Sequence, residues 1–297
     1  MSKNLHFSDY FCTFVQMKSN ILNIGNRLFD CSKPKLMAVV NLSSDSFSGA
    51  GYACGEDELL RLVEKDISEG ADIIDIGGCS TRPYGDLVLE EEEMARVIPA
   101  LSVVRKHFPH TIISLDTFRA SVAQRAITEA QVDIINDVSA GNWDKGLLEV
   151  VINHKIPYIL SFMPNHIDNR DNLCVSENEN IMAIMIAFFA EKLDYLHSHG
   201  VADVIIDPAF GFGKTIDQNY AILRRLSELS CLNSPILAGL SRKSMIYKAL
   251  DITSAEALNG TTVLNTVALL HNADILRVHD VREARQTIDL LSRLTLA

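Results

Sequence analysis

A short β-branched run followed by a longer amphipathic stretch recurs eight times along this chain. The runs are "LMAVVN" (36–41), "DIIDIG" (72–77), "TIISLD" (111–116), "VDIIND" (132–137), "IPYILSF" (156–162), "DVIIDP" (203–208), "SPILAGL" (234–240) and "ADILRVHD" (273–280). Runs this uniformly apolar belong to strands buried on both faces, which pair in parallel and are joined by crossover helices. Eight such units suffice to close a (β/α)8 TIM barrel, with an open doubly wound sheet as the alternative. Polar residues decide for the barrel: Asn41, Asp75, Asp116, Asn136, Asp207 and Arg277 stand at or near strand C-terminal ends, which a barrel gathers at one mouth. The 297 residues are 47% hydrophobic and no Pro- or Ser-rich linker divides them, so a single domain is expected over 17–297. Residues 1–16 read as an N-terminal extension, with Met17 as an alternative start.

A net charge of −11 supplies no overall basic field for nucleic acid or an anionic membrane, so an anionic substrate would need a local cationic cluster. The apolar run "IMAIMIAFFA" (181–190) is too short to span a bilayer and reads as a buried helix. The first residues lack the apolar core and cleavage site of a signal peptide. Six scattered cysteines without a C-x-x-C pair argue against a zinc site or a disulfide framework. A reducing cytoplasm is the expected compartment.

"DPAFGFGKT" (207–215) follows a strand and precedes a helix, as a phosphate-binding P-loop would. The template fails at its first glycine, where Pro208 has neither an N–H nor a free φ. What remains is a strand that ends on a carboxylate.

Seven stretches together resemble the dihydropteroate synthases, in that family's order: "VVNLSSDSFSGAG" (39–51), "ADIIDIGGCSTRP" (71–83), "ISLDTFRASVA" (113–123), "DIINDVSAG" (133–141), "IIDPAFGFGK" (205–214), "GLSRKSMI" (239–246) and "ADILRVHDV" (273–281). The resemblance implies condensation of 6-hydroxymethyl-7,8-dihydropterin diphosphate with 4-aminobenzoate, release of diphosphate, dependence on Mg²⁺ and a homodimer. It implies a pterin site at Asp116, Asn136, Asp207 and Lys243. Asn41, with its metal ion, Thr81, Arg277 and His279 would take the diphosphate. Phe47, Thr81, Arg82, Pro83, Phe212 and Ser244 would take the aminobenzoate. Asn41, Lys243, Arg277 and His279 are the implied catalytic set.

The chemistry agrees with these roles. A carboxylate accepts two parallel ring N–H groups, an amide offers a donor and an acceptor together, and an arginine beside a leaving diphosphate offsets its growing charge. Read singly, Asp116, Asn136 and Asp207 could instead cap helices, and Lys243 and Ser244 could form an ordinary solvated cap. The chain departs from the family at Ser43, Ser44, Gly49, Cys79, Ser161, Phe162, Ala209 and Asn272, where the family has Thr, Pro, Asp, Glu, Met, His, Gly and Gly. Two other functions stay open: a non-catalytic pterin-binding paralogue, and a pterin-dependent methyltransferase, which would have no use for a diphosphate grip.

Overall fold

The computed structural model describes residues 21–25, 27–42, 52–81 and 87–295. The chain enters through an antiparallel hairpin, β1 (Ile21–Ile24) and β2 (Arg27–Asp30), whose turn includes Gly25 at φ 57°. A β-carbon there would also lie 2.5 Å from Asp133 Oδ1, so only glycine satisfies both the turn and the close approach.

The eight expected strands follow: β3 (Lys35–Asn41), β4 (Ile73–Gly77), β5 (Ile112–Asp116), β6 (Ile134–Asp137), β7 (Tyr158–Ser161), β8 (Val204–Asp207), β9 (Leu237–Ala238) and β10 (Ile275–Val278). All pair in parallel, in the order β8-β7-β6-β5-β4-β3-β10-β9. The open edges meet where Ile206 bridges Ile236 and donates its N–H to the Pro235 carbonyl at 2.9 Å. That contact closes the barrel and excludes the open sheet.

Alternation along each strand sorts the side chains into two cores. Outward residues such as Leu36, Val40, Ile74, Ile113, Leu160 and Leu276 pack under the surrounding helices. Inward at the N-terminal end, each barrel strand gives one apolar residue: Met37, Ile73, Ile112, Ile134, Ile159, Ile205, Leu237 and Ile275. Leu22, Ile24, Phe29 and Cys31 of the hairpin segment join this layer and seal the bottom of the barrel. The hairpin is absent from the eightfold pattern, because its alternation over four residues per strand is too brief to stand out.

The ring comprises α1 (Tyr52–Ser68), α2 (Glu90–His107), α3 (Ala120–Ala130), α4 (Gly146–His154), α5 (Ile181–Ser198), α6 (Ile216–Arg224), α7 (Ser244–Leu250), α8 (Leu258–Leu270) and α9 (Val281–Thr295). α2 opens on Glu90, Glu91, Glu92 and Glu93 and closes on Arg105, Lys106 and His107, charges that suit the helix dipole at both ends. The "IMAIMIAFFA" run lies in α5, which buries Met182, Met185, Phe189 and Leu193. Among the described residues no helix is long and apolar enough to cross a membrane.

Candidate active site

Above the apolar floor the inward positions change character. The next layer is Val39, Asp75, Ser114, Asn136, Ser161, Asp207, Gly239 and Arg277, and Asn41, Gly77 and Asp116 stand one step higher on their strands. Gly77 leaves room at the mouth: a β-carbon there would lie 3.2 Å from that of Asp116. Gly239, just past the end of β9, likewise faces Lys243 and Arg277. One period-two rule therefore makes the bottom dry and the top polar.

Arg277 organises this layer. Its Nε donates to Asp75 Oδ2 at 2.7 Å, and its Nη2 reaches Asp75 Oδ2 at 2.6 Å and Asp116 Oδ2 at 2.7 Å. Asn136 Nδ2 donates to the same Asp75 oxygen at 3.0 Å. Burial works against the guanidinium charge, but Asp75 and Asp116 hold its pKa above the ordinary value. Asp116 is pushed up to about 7 by burial and by its acidic neighbours, against the pull of Arg277. Helix capping is excluded for Asp116 and Asn136: α3 starts after Arg119 without a side-chain cap, and both residues are held across the barrel.

Asp207 does serve its own turn. Its Oδ1 accepts the Ala209 N–H at 2.8 Å, which leaves Oδ2 for another donor. Burial raises its pKa and Lys243 opposes the rise, while burial lowers Lys243 to about 8. The Lys243 ammonium donates to the Phe210 carbonyl and lies 4.6 Å from the centre of the Phe212 ring. Lys243 thus stands beside both Asp207 and Phe212.

The rest of "DPAFGFGKT" settles the P-loop question. Lys214 Nζ donates to the carbonyls of Phe162, Ala209 and Phe212 at 3.2, 3.1 and 2.8 Å, so its charge is spent on the main chain. Gly211 N–H points at Asn219 Oδ1 at 2.7 Å, and Thr215 and Gln218 form a capping box for α6. These groups serve the turn and the helix that follows it. Ala209 sits at φ 53° and Asn272 at φ 68°, the left-handed region that accounts for the family's glycine at both positions.

Arg242 is structural: its guanidinium grips Asp280 at 2.9 and 2.7 Å. That clamp braces the "SRKS" turn that carries Lys243. Half-buried Ser244 opens α7, a helix of only seven residues. His279 is exposed at the mouth and donates its backbone N–H to Ser241 Oγ at 3.3 Å. Asn41 and Thr81 are half-buried beside the mouth. Phe47, Gly49, Arg82 and Pro83 lie outside the described residues. Cys79 is buried near Glu93 and Arg119, and burial pushes its thiol pKa up. At neutral pH it adds no charge to the site.

Three members of the polar layer carry no role in the sequence reading: Asp75, which stands there only among the polar strand ends, and Ser114 and Ser161. Their signal was present: Ser114 lies two residues before Asp116 and so faces the same side.

Comparisons with known proteins show the family. The family model described as "Pterin binding enzyme" matches residues 37–279. The dihydropteroate synthase of Clostridium beijerinckii is 36% identical, over 94% of this chain and 100% of that protein. That of Haemophilus influenzae is 37% identical, over 88% and 94%. Among solved structures, Clostridium difficile dihydropteroate synthase, determined in the presence of pteroic acid, superposes with a TM-score of 0.81 at 34% identity, covering 89% of this chain and 97% of that one. Xanthomonas albilineans dihydropteroate synthase with 4-aminobenzoic acid gives 0.84 at 31% identity, covering 94% and 99%. With the barrel, the polar mouth and these likenesses in agreement, the chain belongs to the pterin-binding enzyme family and is one of its dihydropteroate synthases.

Proposed function

We propose that the barrel mouth carries out dihydropteroate synthesis with Asp116, Asn136, Asp207 and Lys243 on the pterin and Arg277, His279, Asn41 and Thr81 on its diphosphate. The observation that carries this assignment is the inner polar layer, where a part-buried guanidinium, an amide and converging carboxylates form a hydrogen-bonding floor over a dry core. Such a floor matches a flat heterocycle with several ring N–H donors, and the adjoining cation matches an anionic leaving group. A site made only for a reduced-folate methyl donor would gain nothing from that cation.

No side chain needs to act as a nucleophile. The carbon–oxygen bond to diphosphate breaks with its electron pair going to the leaving group. The cation left on the methylene is stabilised by the pterin ring. The aminobenzoate nitrogen then forms the new bond and loses its proton to solvent. Arg277 and His279 offset charge as it grows on the diphosphate, and Asp207 and Asn136 hold the ring in line. Phe212 and Ser244, with Thr81, Phe47, Arg82 and Pro83, make up the aminobenzoate side.

Asn41 suits Mg²⁺ in donor type, since its amide oxygen is a hard ligand at the mouth. Among the described residues no group of three or more His, Cys, Asp or Glu is placed to hold a metal ion. A single protein oxygen, with diphosphate and water as the other ligands, is a usual arrangement for this ion. Bound there, Mg²⁺ would neutralise diphosphate charge.

The working unit is a single domain over residues 17–297, acting in the cytoplasm as a homodimer. Leu250 on α7 and Val263 and Leu270 on α8 are exposed apolar residues for a second copy to cover. The decisive assay measures diphosphate release from the pterin substrate with and without 4-aminobenzoate. Release that depends on both substrates supports the assignment. Pterin binding without release identifies a non-catalytic paralogue. Asp207→Asn, which sets a donor against a ring donor, should weaken pterin binding by about 1.5–3 kcal/mol per lost charge-assisted bond in a folded protein. Unchanged affinity by calorimetry would remove Asp207 from the site.

A further inference from the structure

Asp75 is fully buried on β4, yet it bonds to both Arg277 and Asn136. We propose that Asp75 is the positioning residue of the pterin site, one carboxylate oxygen fixing both the edge of Arg277 and the orientation of the Asn136 amide. The inference rests on the assignment of Asn136 and Arg277 to the pterin diphosphate.

The geometry concentrates the work in Oδ2. That oxygen accepts from Arg277 Nε at 2.7 Å, from Arg277 Nη2 at 2.6 Å and from Asn136 Nδ2 at 3.0 Å. Asp75 Oδ1 is buried with no hydrogen-bond partner, as is Ser114 Oγ, its register neighbour on β5. The bonds of this carboxylate therefore go to the two side chains it would orient. Two contacts from Arg277 to one oxygen set the plane of the guanidinium and leave the Nη2 edge to bridge to Asp116 at 2.7 Å.

The effect on Asn136 follows from the donor inventory. An amide has two nearly isosteric ends, and nothing in its shape tells the mouth which end it will meet. An ionised carboxylate accepts only, so beside Asp75 the amide must turn its NH₂ group inward. The Asn136 carbonyl is then left for the pocket, where it meets a ring N–H and opposes a ring acceptor. A neutral carboxamide at position 75 would remove that constraint, because either end of one amide can pair with the complementary end of the other.

Asp75→Asn keeps the volume and removes the acceptor-only character. In the folded variant, kcat/KM for the pterin diphosphate should fall about 100-fold, and affinity for free hydroxymethylpterin should fall about 10-fold. The KM for 4-aminobenzoate should stay within about twofold, since Asp75 bonds to Arg277 and Asn136 and to none of the residues assigned to that substrate. The separating measurement is a double-mutant cycle on free-pterin affinity. If Asp75 acts through Asn136, Asp75→Asn should cost no more than about twofold in an Asn136→Ala background. A full additional loss there overturns the proposal, as does a variant that loses thermal stability alone, or one that loses affinity only for the diphosphate-bearing ligand.

If Asn136→Ala itself leaves pterin affinity intact, the site assignment fails. If it loses affinity and Asp75→Asn does not, only the positioning role fails. Should Asp75→Asn not fold, nitrogen-15 spectra of the native protein still decide. An Asn136 side-chain amide with a slowly exchanging proton supports anchoring by Asp75, and a freely exchanging pair overturns it.

Discussion

Asp116 is the residue where burial and charge compete most openly. Arg277 draws it toward the ionised form, while burial, Asp75, Glu93 and Asp137 push the other way, so that it titrates at about 7 against an ordinary 3.8. Between those values the native state binds more protons than the unfolded chain, so the unfolding free energy falls as pH rises through that window. Pterin binding through an ionised carboxylate should rise over the same range. A pH profile of kcat/KM with an acid limb near 7 is the expected outcome, and Asp116→Asn should abolish the limb. Arg277 calls for a gentler probe than truncation. Removing its guanidinium strands the buried Asp75 and the part-buried Asp116 carboxylates, so Arg277→Lys separates the diphosphate contact from loss of the fold better than Arg277→Ala does.

At the scale of elements, the strands divide into a part that packs and a part that binds. Two residues of offset along one alternating face separate Ile73 from Asp75, Ile112 from Ser114, Ile205 from Asp207 and Ile275 from Arg277. The hairpin of β1 and β2 belongs wholly to the packing part. Ile24 is fully buried in the bottom layer, far from the mouth. Ile24→Ala should cost about 3 kcal/mol of stability through lost transfer energy and a cavity. Chemical denaturation should show that loss while kcat stays within about twofold, and a large drop in kcat would mean that the floor transmits strain to the site.

The whole molecule exposes more than the barrel needs. α8 is apolar around much of its circumference, and its partner contact with α7 is close: a β-carbon at Gly260 would meet Ile246 Cγ2 at 2.4 Å. Beyond that contact Leu250, Val263 and Leu270 stay 52–64% exposed. A second copy covering this face would bury them together. Sedimentation should show a dimer for the native protein and a monomer for Val263→Glu, because a charge buried against leucines without a partner is strongly disfavoured. A native monomer would refute the homodimer.

The barrel was legible in the sequence because burial on both strand faces leaves uniform β-branched runs, and the eightfold repeat shows through every loop. The ends of those runs also revealed that Asp116, Asn136, Asp207 and Arg277 share a mouth, since parallel strands place like ends together. Sequence alone did not reveal what these residues do to one another. Asp75 and Arg277 are 202 positions apart and meet only when β10 pairs with β3 and β3 with β4. Lys214 and Lys243 both followed motifs that suggested a ligand, yet three carbonyls claim the first while the second faces Asp207 and Phe212. Local pattern dictates which face a side chain takes, because that depends on the backbone period of its own strand. Partnership depends on distances between strands remote in sequence, and closure of the barrel is what sets them.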